Sequence, residues 1–340
     1  MIEWLALGDE DRLVTLQQAN ALSGISMKAL EKDWWVTLVL KAVFNSPYAS
    51  HLQFKGGTSL SKCYNLINRF SEDIDLSIDR AFLGYGEDLR KPQVKKLKKE
   101  ATRFTSNELR DSVEQELIKL GVPAGELTII ADPIRQDLQD IDPQTIRIYY
   151  RSLLPPVPYI EDHVKMEVSA RSLKEDGVPS IINSIVALHL PDIPGSGEGF
   201  SVTAVHPKRT FLEKVFLLHE EFLRPTEEIV FNRMSRHLYD LVRMMDTEHP
   251  GTLLKDHEYY QNLVEHRRRF IFKKGVDYAT HHPSTLSFLP PEELLDAYER
   301  DYTQMTEQMI YGDDIPTFSM LLSRLEELKN EFRKMVEEKG

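Results

Sequence analysis

Apolar and polar residues follow two different periods along the chain, and the changes of period divide it into three zones. In residues 1 to about 50 apolar side chains recur every three or four positions, which predicts two short helices between residues 22 and 44, the second covering 29–44. From about residue 51 to 205 short alternating runs predict strands, and from about 206 the helical spacing returns. The pattern predicts an α+β domain, residues 1–205, that includes a helical N-terminal lead-in, and a helical C-terminal domain, residues 206–340.

Six segments of the central zone have the alternation expected of strands. One long helix, residues 93–120, separates the second segment from the third and ends at Gly121, before Pro123. The strand segments are LQFKG, DIDLSID, ELTIIA, TIRIYYRSL, HVKMEVSAR and FSVTAV, and the C-terminal helices are predicted at 209–222, 226–245, 253–272, 291–309 and 318–338.

Composition excludes several classes of protein. The 340 residues, 41% of them hydrophobic, are enough to bury a sizeable core. The longest apolar run, WWVTLVLKAVF, is interrupted by Lys41 well short of the roughly 20 residues of a membrane span, and the N-terminus lacks the features of a signal peptide. The single cysteine, Cys63, excludes an internal disulfide framework and a zinc site built from cysteines. We therefore expect a cytoplasmic protein with no membrane partner.

The net charge of −12 argues against a protein that coats nucleic acid without specificity, because the phosphate backbone would be repelled. Basic residues nevertheless cluster in two places. Each cluster is either a solvated helix face or a local contact for nucleic acid, and the sequence leaves both readings open. The first cluster is Lys91, Lys95, Lys96, Lys98, Lys99 and Arg103, and the second is Arg267, Arg268, Arg269, Lys273 and Lys274.

Candidate chemistry concentrates in the stretch FKGGTSLSKCYNLINRFSEDIDLSI, which begins at Phe54. In a strand, Asp73 and Asp75 lie on one face, and two neighbouring carboxylates are tolerated most easily with a hard cation such as Mg²⁺ between them. Gly56 and Gly57 let the backbone approach a ligand, and a helix that begins near Thr58 would aim its free amides at phosphate groups.

A second alternating segment, HVKMEVSAR, places Glu167 on the polar face of a strand. Glu167 can therefore supply a third carboxylate, although Glu161 and Asp162 precede the same strand. An Asp-X-Asp pair alone is more often just a polar strand face. The combination with Gly-Gly-Thr-Ser fifteen residues upstream is far more specific.

GGTSLSKCYNLINRFSEDIDL resembles the signature of the DNA polymerase β-like nucleotidyltransferase superfamily, and closely that of the AbiEii/AbiGii abortive-infection toxin family of bacteria. The resemblance runs through most of the chain, because EKDWWVTLVL, RTFLEKVFLLH, SRHLYDL and the tail from DYTQM to LEEL are also similar to that family. The gap between glycines and carboxylates is longer than is usual in the superfamily but usual within the toxin branch. The resemblance implies a polymerase β-like core with a mixed sheet.

The resemblance also implies a role for each site residue. Arg236 and Asp240 recur at helical spacing with Arg233 and Arg243, for which a structural salt-bridged face is the alternative. Lys62 either lines the pocket or is a solvated helix residue. The implied catalytic residues are Asp73, Asp75, Lys214 and Asp240, the metal ligands Asp73, Asp75 and Glu167, and the nucleotide-binding residues Gly56, Gly57, Thr58, Ser59, Lys62 and Arg236.

The function that these residues imply is transfer of a nucleotidyl group from a nucleoside triphosphate to a hydroxyl, with release of pyrophosphate. Two Mg²⁺ ions, for which Mn²⁺ can substitute, would stabilise the attacking and leaving oxygens. Lys214 would offset charge on the pyrophosphate, and Asp240 would orient a ligand. Characterised members of the resembled family are toxins, some of which add nucleotides to the 3′ end of tRNA, so tRNA is the expected acceptor and a cognate antitoxin an expected partner.

Two alternatives stay open. The acceptor could instead be a protein hydroxyl or a small molecule. The chain could also be a nucleotide-binding regulator that does not turn its ligand over, although such a regulator has no need of Asp73, Asp75, Glu167 and Lys214 together.

Overall fold

The structure is a computed structural model that describes residues 3–337, except 124, 134–141, 158–159, 174, 193–198 and 313. Two compact units make up the chain: Met1–Asn65 with Phe70–Val205, and Leu66–Arg69 with His206–Gly340. No helix in the described ranges is both long enough and apolar enough to cross a membrane. The sequence did not predict that Leu66–Arg69 groups with the helical C-terminal residues.

The first unit is built on a mixed sheet of seven strands: β1 Leu52–Lys55, β2 Ile74–Ile78, β3 Leu127–Ala131, β4 Gln144–Tyr150, β5 His163–Ser169, β6 Val178–Ile182 and β7 Phe200–Ala204. Their order is β3-β4-β5-β2-β1-β7-β6. β2 runs parallel to β5 and β1 parallel to β7, and the other neighbours are antiparallel. The predicted mixed sheet is confirmed, and each of the six predicted segments contains a strand.

Helices of the first unit are α1 Glu3–Ala6, α2 Asp9–Ser23, α3 Met27–Asn45, α4 Gly56–Lys62, α5 Lys91–Phe104, α6 Arg110–Lys119 and α7 Ile185–His189. α3 is buried along most of its length and packs on α2, α6 and α7 and on β5 and β7. Its Trp34 ring lies 4.6 Å from that of Trp4, and its Trp35 ring stacks 5.1 Å from Tyr150. This helix is therefore the centre of the core beside the sheet.

Two helix predictions in the first unit need correction. The helix before α3 begins at Asp9 rather than near residue 22, because three acidic residues in its first turn suit a helix N-terminus although its apolar face is weak. The helix predicted at 93–120 is α5 and α6, joined by a π-helical turn at Thr105–Leu109.

The second unit is helical, as predicted. Its helices are α8 Pro207–Phe222, α9 Ser235–Met245, α10 Glu248–Lys255, α11 His257–His266, α12 Leu295–Met309 and α13 Phe318–Glu337. α9 packs against α8, α10, α12 and α13 and so lies at the centre of this unit. Residue 338, the last of the predicted C-terminal helix, lies outside the described residues.

Two predictions fail in the second unit. The helix predicted at 226–245 begins only at Ser235, since Arg233 has a positive φ of 60° and the Asp301 carboxylate accepts the backbone amides of Arg233 and Ser235 at 2.6 and 2.9 Å. Arg233 therefore precedes α9 and does not share a helical face with Asp240. The helix predicted at 253–272 consists of the end of α10, α11 and a π-helical turn at Arg267–Ile271.

Candidate functional site

Antiparallel pairing of β1 and β2 brings the glycine turn to the carboxylates. Lys55, the last residue of β1, lies opposite Asp75 on β2, and α4 begins at the next residue, Gly56. Gly56 has a φ of +80°, and a Cβ added there would lie 2.0 Å from Asp75 Oδ2. Both the backbone conformation and the contact therefore require glycine at this position.

Two hydroxyls stabilise the glycine turn, and one of them connects it to the loop before β2. Thr58 Oγ1 donates to the backbone carbonyl of Asp73 at 2.5 Å and lies 3.0 Å from Ser71 Oγ, and Ser59 Oγ donates to the Gly56 carbonyl at 3.0 Å. Both side chains are buried. In the structure they hold the glycine turn in place, and the predicted phosphate contacts of Gly56, Gly57, Thr58 and Ser59 stay a prediction.

The carboxylates lie on the polar face of adjacent strands. Asp73 and Asp75 are half-buried, while Ile74 and Leu76 between and beside them are buried, as the alternation predicted. Glu167 on β5 lies opposite Asp75, because β2 and β5 are parallel and in register. The oxygen-only donor set and the partial exposure of Asp73 and Asp75 fit a hard divalent ion.

Glu167 does not converge with the two aspartates. Its Oε2 is 2.9 Å from Lys165 Nζ, and within the described ranges no three His, Cys, Asp or Glu side chains are close enough together to hold a metal ion. Asp73 and Asp75 are thus the pair that could hold the ion, and the third ligand stays a prediction.

Lys32 on α3 contacts the loop that precedes Asp73. The sequence did not reveal this role. Its Nζ is buried, 3.4 Å from Glu72 Oε2, and donates to the carbonyl of Glu161 at 2.6 Å and to that of His163. One ammonium thereby ties α3 to the residue before Asp73 and to the start of β5.

Asp33, the next residue of α3, holds Lys62 of α4. The two side chains are buried and 2.6 Å apart, and Asp33 Oδ2 also accepts the amide of Ile185 at 2.7 Å. Lys62 is therefore bound within the unit rather than solvated, and its predicted contact with nucleotide stays a prediction. The sequence feature that could have revealed Lys32 and Asp33 is the run of charged residues EKD near the start of a mostly apolar helix.

A buried ionic cluster surrounds Asp240 in the second unit. Arg69 donates to both of its carboxylate oxygens, at 2.7 and 2.8 Å, and Lys214 Nζ lies 2.8 Å from Oδ2. Burial would raise the pKa of Asp240, but the two cations outweigh burial and hold that pKa below its usual range. With both oxygens engaged, Asp240 orients Lys214 and is not available as a proton acceptor.

His237 and Arg236 border the same cluster. Burial and the nearby Lys214 charge lower the pKa of His237 far below its usual value, so it is neutral and accepts a hydrogen bond from Lys214 at 3.2 Å. Arg236 adds positive charge beside Lys214 and His237. The contact of Arg236 with nucleotide stays a prediction.

Proteins of known structure are similar to this chain over most of its length. No curated protein sequence matches it. Among solved structures, JHP933 from Helicobacter pylori is similar, with 16% identity over 93% of this chain and 96% of its own and a TM-score of 0.42. A second solved structure, of an H. pylori protein described as a candidate nucleotidyltransferase, has 15% identity over 93% of this chain and 99% of its own, with a TM-score of 0.43.

A family signature extends over most of the chain. Residues 38–324 match the family described as "Nucleotidyl transferase AbiEii toxin, Type IV TA system". The matched range includes the glycine turn, Asp73, Asp75, Glu167, Lys214 and Asp240. The chain therefore belongs to the AbiEii family of nucleotidyltransferase toxins of type IV toxin–antitoxin systems.

Proposed function

We propose that this nucleotidyltransferase transfers a nucleotidyl group from a nucleoside triphosphate to the 3′-terminal hydroxyl of an RNA, with tRNA as the acceptor, and depends on a divalent ion. The bond between the α-phosphorus and the bridging oxygen breaks, the acceptor oxygen bonds to the phosphorus, and pyrophosphate leaves. The acceptor proton passes to solvent. The observation that supports this proposal is the contact of the Gly56 backbone with the Asp75 carboxylate.

Residues of the first unit have distinct tasks in this proposal. Asp73 and Asp75 would hold Mg²⁺, or Mn²⁺ in its place, with Glu167 as the third predicted ligand. When bound, such an ion offsets charge on the phosphoryl oxygens and acidifies the acceptor hydroxyl. Gly56 lets the turn lie directly against the Asp75 carboxylate, and Thr58 fixes the position of that backbone relative to Asp73.

An RNA acceptor requires a basic surface on a protein whose net charge is −12. α5 provides one, which we call the α5 basic face. Its lysines recur at steps of three and four residues, opposite the buried Val94, Leu97 and Ala101. Lys95 and Lys96 are both exposed. The α5 basic face consists of Lys91, Lys95, Lys96, Lys98 and Lys99.

The second basic cluster is less suited to RNA than its sequence suggests. Arg267 is 6% exposed, and its guanidinium pairs with Glu220, which also lies 3.2 Å from Lys273 Nζ. Arg268 pairs with Glu265 at 2.8 Å. Much of this charge is neutralised inside the unit, so we propose that the α5 basic face contacts the acceptor.

Membership of a toxin–antitoxin family implies a cognate antitoxin. We propose that the chain acts in the cytoplasm, where nucleoside triphosphates and tRNA are found. Incubation with cell extract and labelled triphosphates distinguishes the acceptors: label in RNA supports the proposal, label in protein or a small molecule supports the corresponding alternative, and unchanged triphosphate with every acceptor supports a regulator.

The first prediction concerns the metal ligands. Asp73→Asn and Asp75→Asn each remove one negative charge, so we expect nucleotide transfer to fall by more than the roughly hundredfold typical for loss of an outer-shell partner of a metal. Unfolding free energy should change by less than about 1 kcal/mol, since both side chains are half-buried. Asp79→Asn, just beyond the other end of β2, is the matched control and should transfer at the wild-type rate. Substantial transfer by both Asn variants would contradict the metal site.

The second prediction concerns Lys214, whose role towards the triphosphate stays a prediction. Lys214→Met should destabilise the fold by roughly 2 kcal/mol, less than for a fully broken buried pair because Arg69 still holds Asp240. Turnover of the folded protein should fall about a hundredfold if the cation stabilises developing charge. Glu220→Gln, which weakens another buried ion pair on α8, is the control and should lower stability but not turnover. Equal turnover of the two folded variants would assign Lys214 a structural role alone.

The third prediction concerns the α5 basic face. Replacing Lys95, Lys96 and Lys99 by Gln should weaken RNA binding and flatten the slope of log affinity against log salt by about two, since each phosphate contact releases about 0.7 counterion from a single strand. Nucleotide binding should not change. The matched control replaces Arg268, Arg269 and Lys274 by Gln. Unchanged RNA affinity and salt slope in both triple variants would count against an RNA acceptor.

A further inference from the structure

The polar face of β5 carries a lysine beside the carboxylates of the proposed metal site. Lys165 and Glu167 are two residues apart, so their side chains lie on the same face of the strand, and Lys165 Nζ is 2.9 Å from Glu167 Oε2. Glu167 in turn lies opposite Asp75 on β2. The Lys165 ammonium therefore lies among the acidic side chains that are expected to bind a divalent ion.

Several carboxylates favour the charge on Lys165. Glu167 contacts its ammonium directly, and Asp75 lies opposite Glu167 on β2. The side chains of Lys165 and Glu167 are 30% and 24% exposed, so water screens the pair only in part. At neutral pH the lysine is charged and offsets repulsion among the acidic side chains.

Lys165 engages one of the three carboxylates directly. In the part of the chain that the structure describes, Asp73, Asp75 and Glu167 do not form a metal-binding group. Glu167 already has a cation at hydrogen-bonding distance. An ammonium and a divalent ion compete for the same carboxylate oxygen, because each is a cation that uses the oxygen's lone pairs.

We infer that Lys165 is the resident cation of this carboxylate site and keeps Glu167 occupied until a divalent ion displaces it. The inference rests on the proposed function, because it takes Asp73 and Asp75 as metal ligands. Release of Lys165 from Glu167 then accompanies uptake of the ion. The three carboxylates with Lys165 present bind the ion more weakly than they would without it.

The alternative is that Lys165 and Glu167 form an ordinary, partly exposed ion pair, which often contributes little to stability. Removing such a pair would leave metal binding unchanged. Metal affinity therefore separates the two roles. The full-length chain without nucleotide is titrated with Mn²⁺, and the free ion is measured by electron paramagnetic resonance. This readout does not depend on turnover.

Lys165→Met keeps the length of the side chain and removes its charge, so Mn²⁺ should bind about tenfold more tightly. Lys165→Arg retains the charge and should bind Mn²⁺ no more tightly than the wild type. Without metal, Lys165→Met should melt at a lower temperature than the wild type, and Mn²⁺ should raise its melting temperature by a larger amount. Lys165→Gln tests the same loss of charge if the Met variant does not fold.

The Asp75→Asn variant shows whether a negative result contradicts the role of Lys165 or the metal site itself. If Asp75→Asn abolishes Mn²⁺ binding but Lys165→Met binds the ion with wild-type or lower affinity, the metal site stands and the role of Lys165 is overturned. If Asp75→Asn binds Mn²⁺ like the wild type, the proposed metal site is wrong, and the inference fails with it.

Discussion

Gly56 approaches the carboxylate of Asp75 so closely that a single methyl group would collide with it at 2.0 Å. Two separate constraints, a positive φ and this contact, require glycine at the same position. Lys55, the last residue of β1, pairs with Asp75. The parallel register of β2 with β5 then places Glu167 opposite Asp75. The rest of the first unit holds these strand ends in register.

Buried charged residues on α3 contribute much to fixing these strand ends. Lys32 and Asp33 lie inside the core, where an unpaired charge costs several kcal/mol, so each must be matched by groups in fixed positions. Their partners are the loop before Asp73, the start of β5 and Lys62 on the glycine-turn helix. The core helix thus contacts each segment that carries a candidate ligand, and its sequence is constrained by the site as well as by packing.

The alternation of apolar and polar residues was sufficient to predict β1 to β5, β7 and the common face of Asp73 and Asp75. β6 was missed because Pro179 interrupts the pattern, which an edge strand tolerates. Other errors came from partners distant in sequence: Asp301 sets the start of α9 from 66 residues away, and Glu220 buries Arg267 from 47 residues away. Local periodicity carries no information on such contacts. The roles of Lys32 and Asp33 were missed for the same reason, because their partners are distant in sequence.

The central claim is that the glycine turn and the Asp75 carboxylate form one catalytic site, and Gly56→Ala tests it most directly. Transfer from each of the four radiolabelled triphosphates into total RNA is measured for this variant and for the wild type, with folding of both checked by circular dichroism. The account predicts labelled RNA with the wild type and none with a folded Gly56→Ala protein. Transfer at the wild-type rate by Gly56→Ala would contradict it.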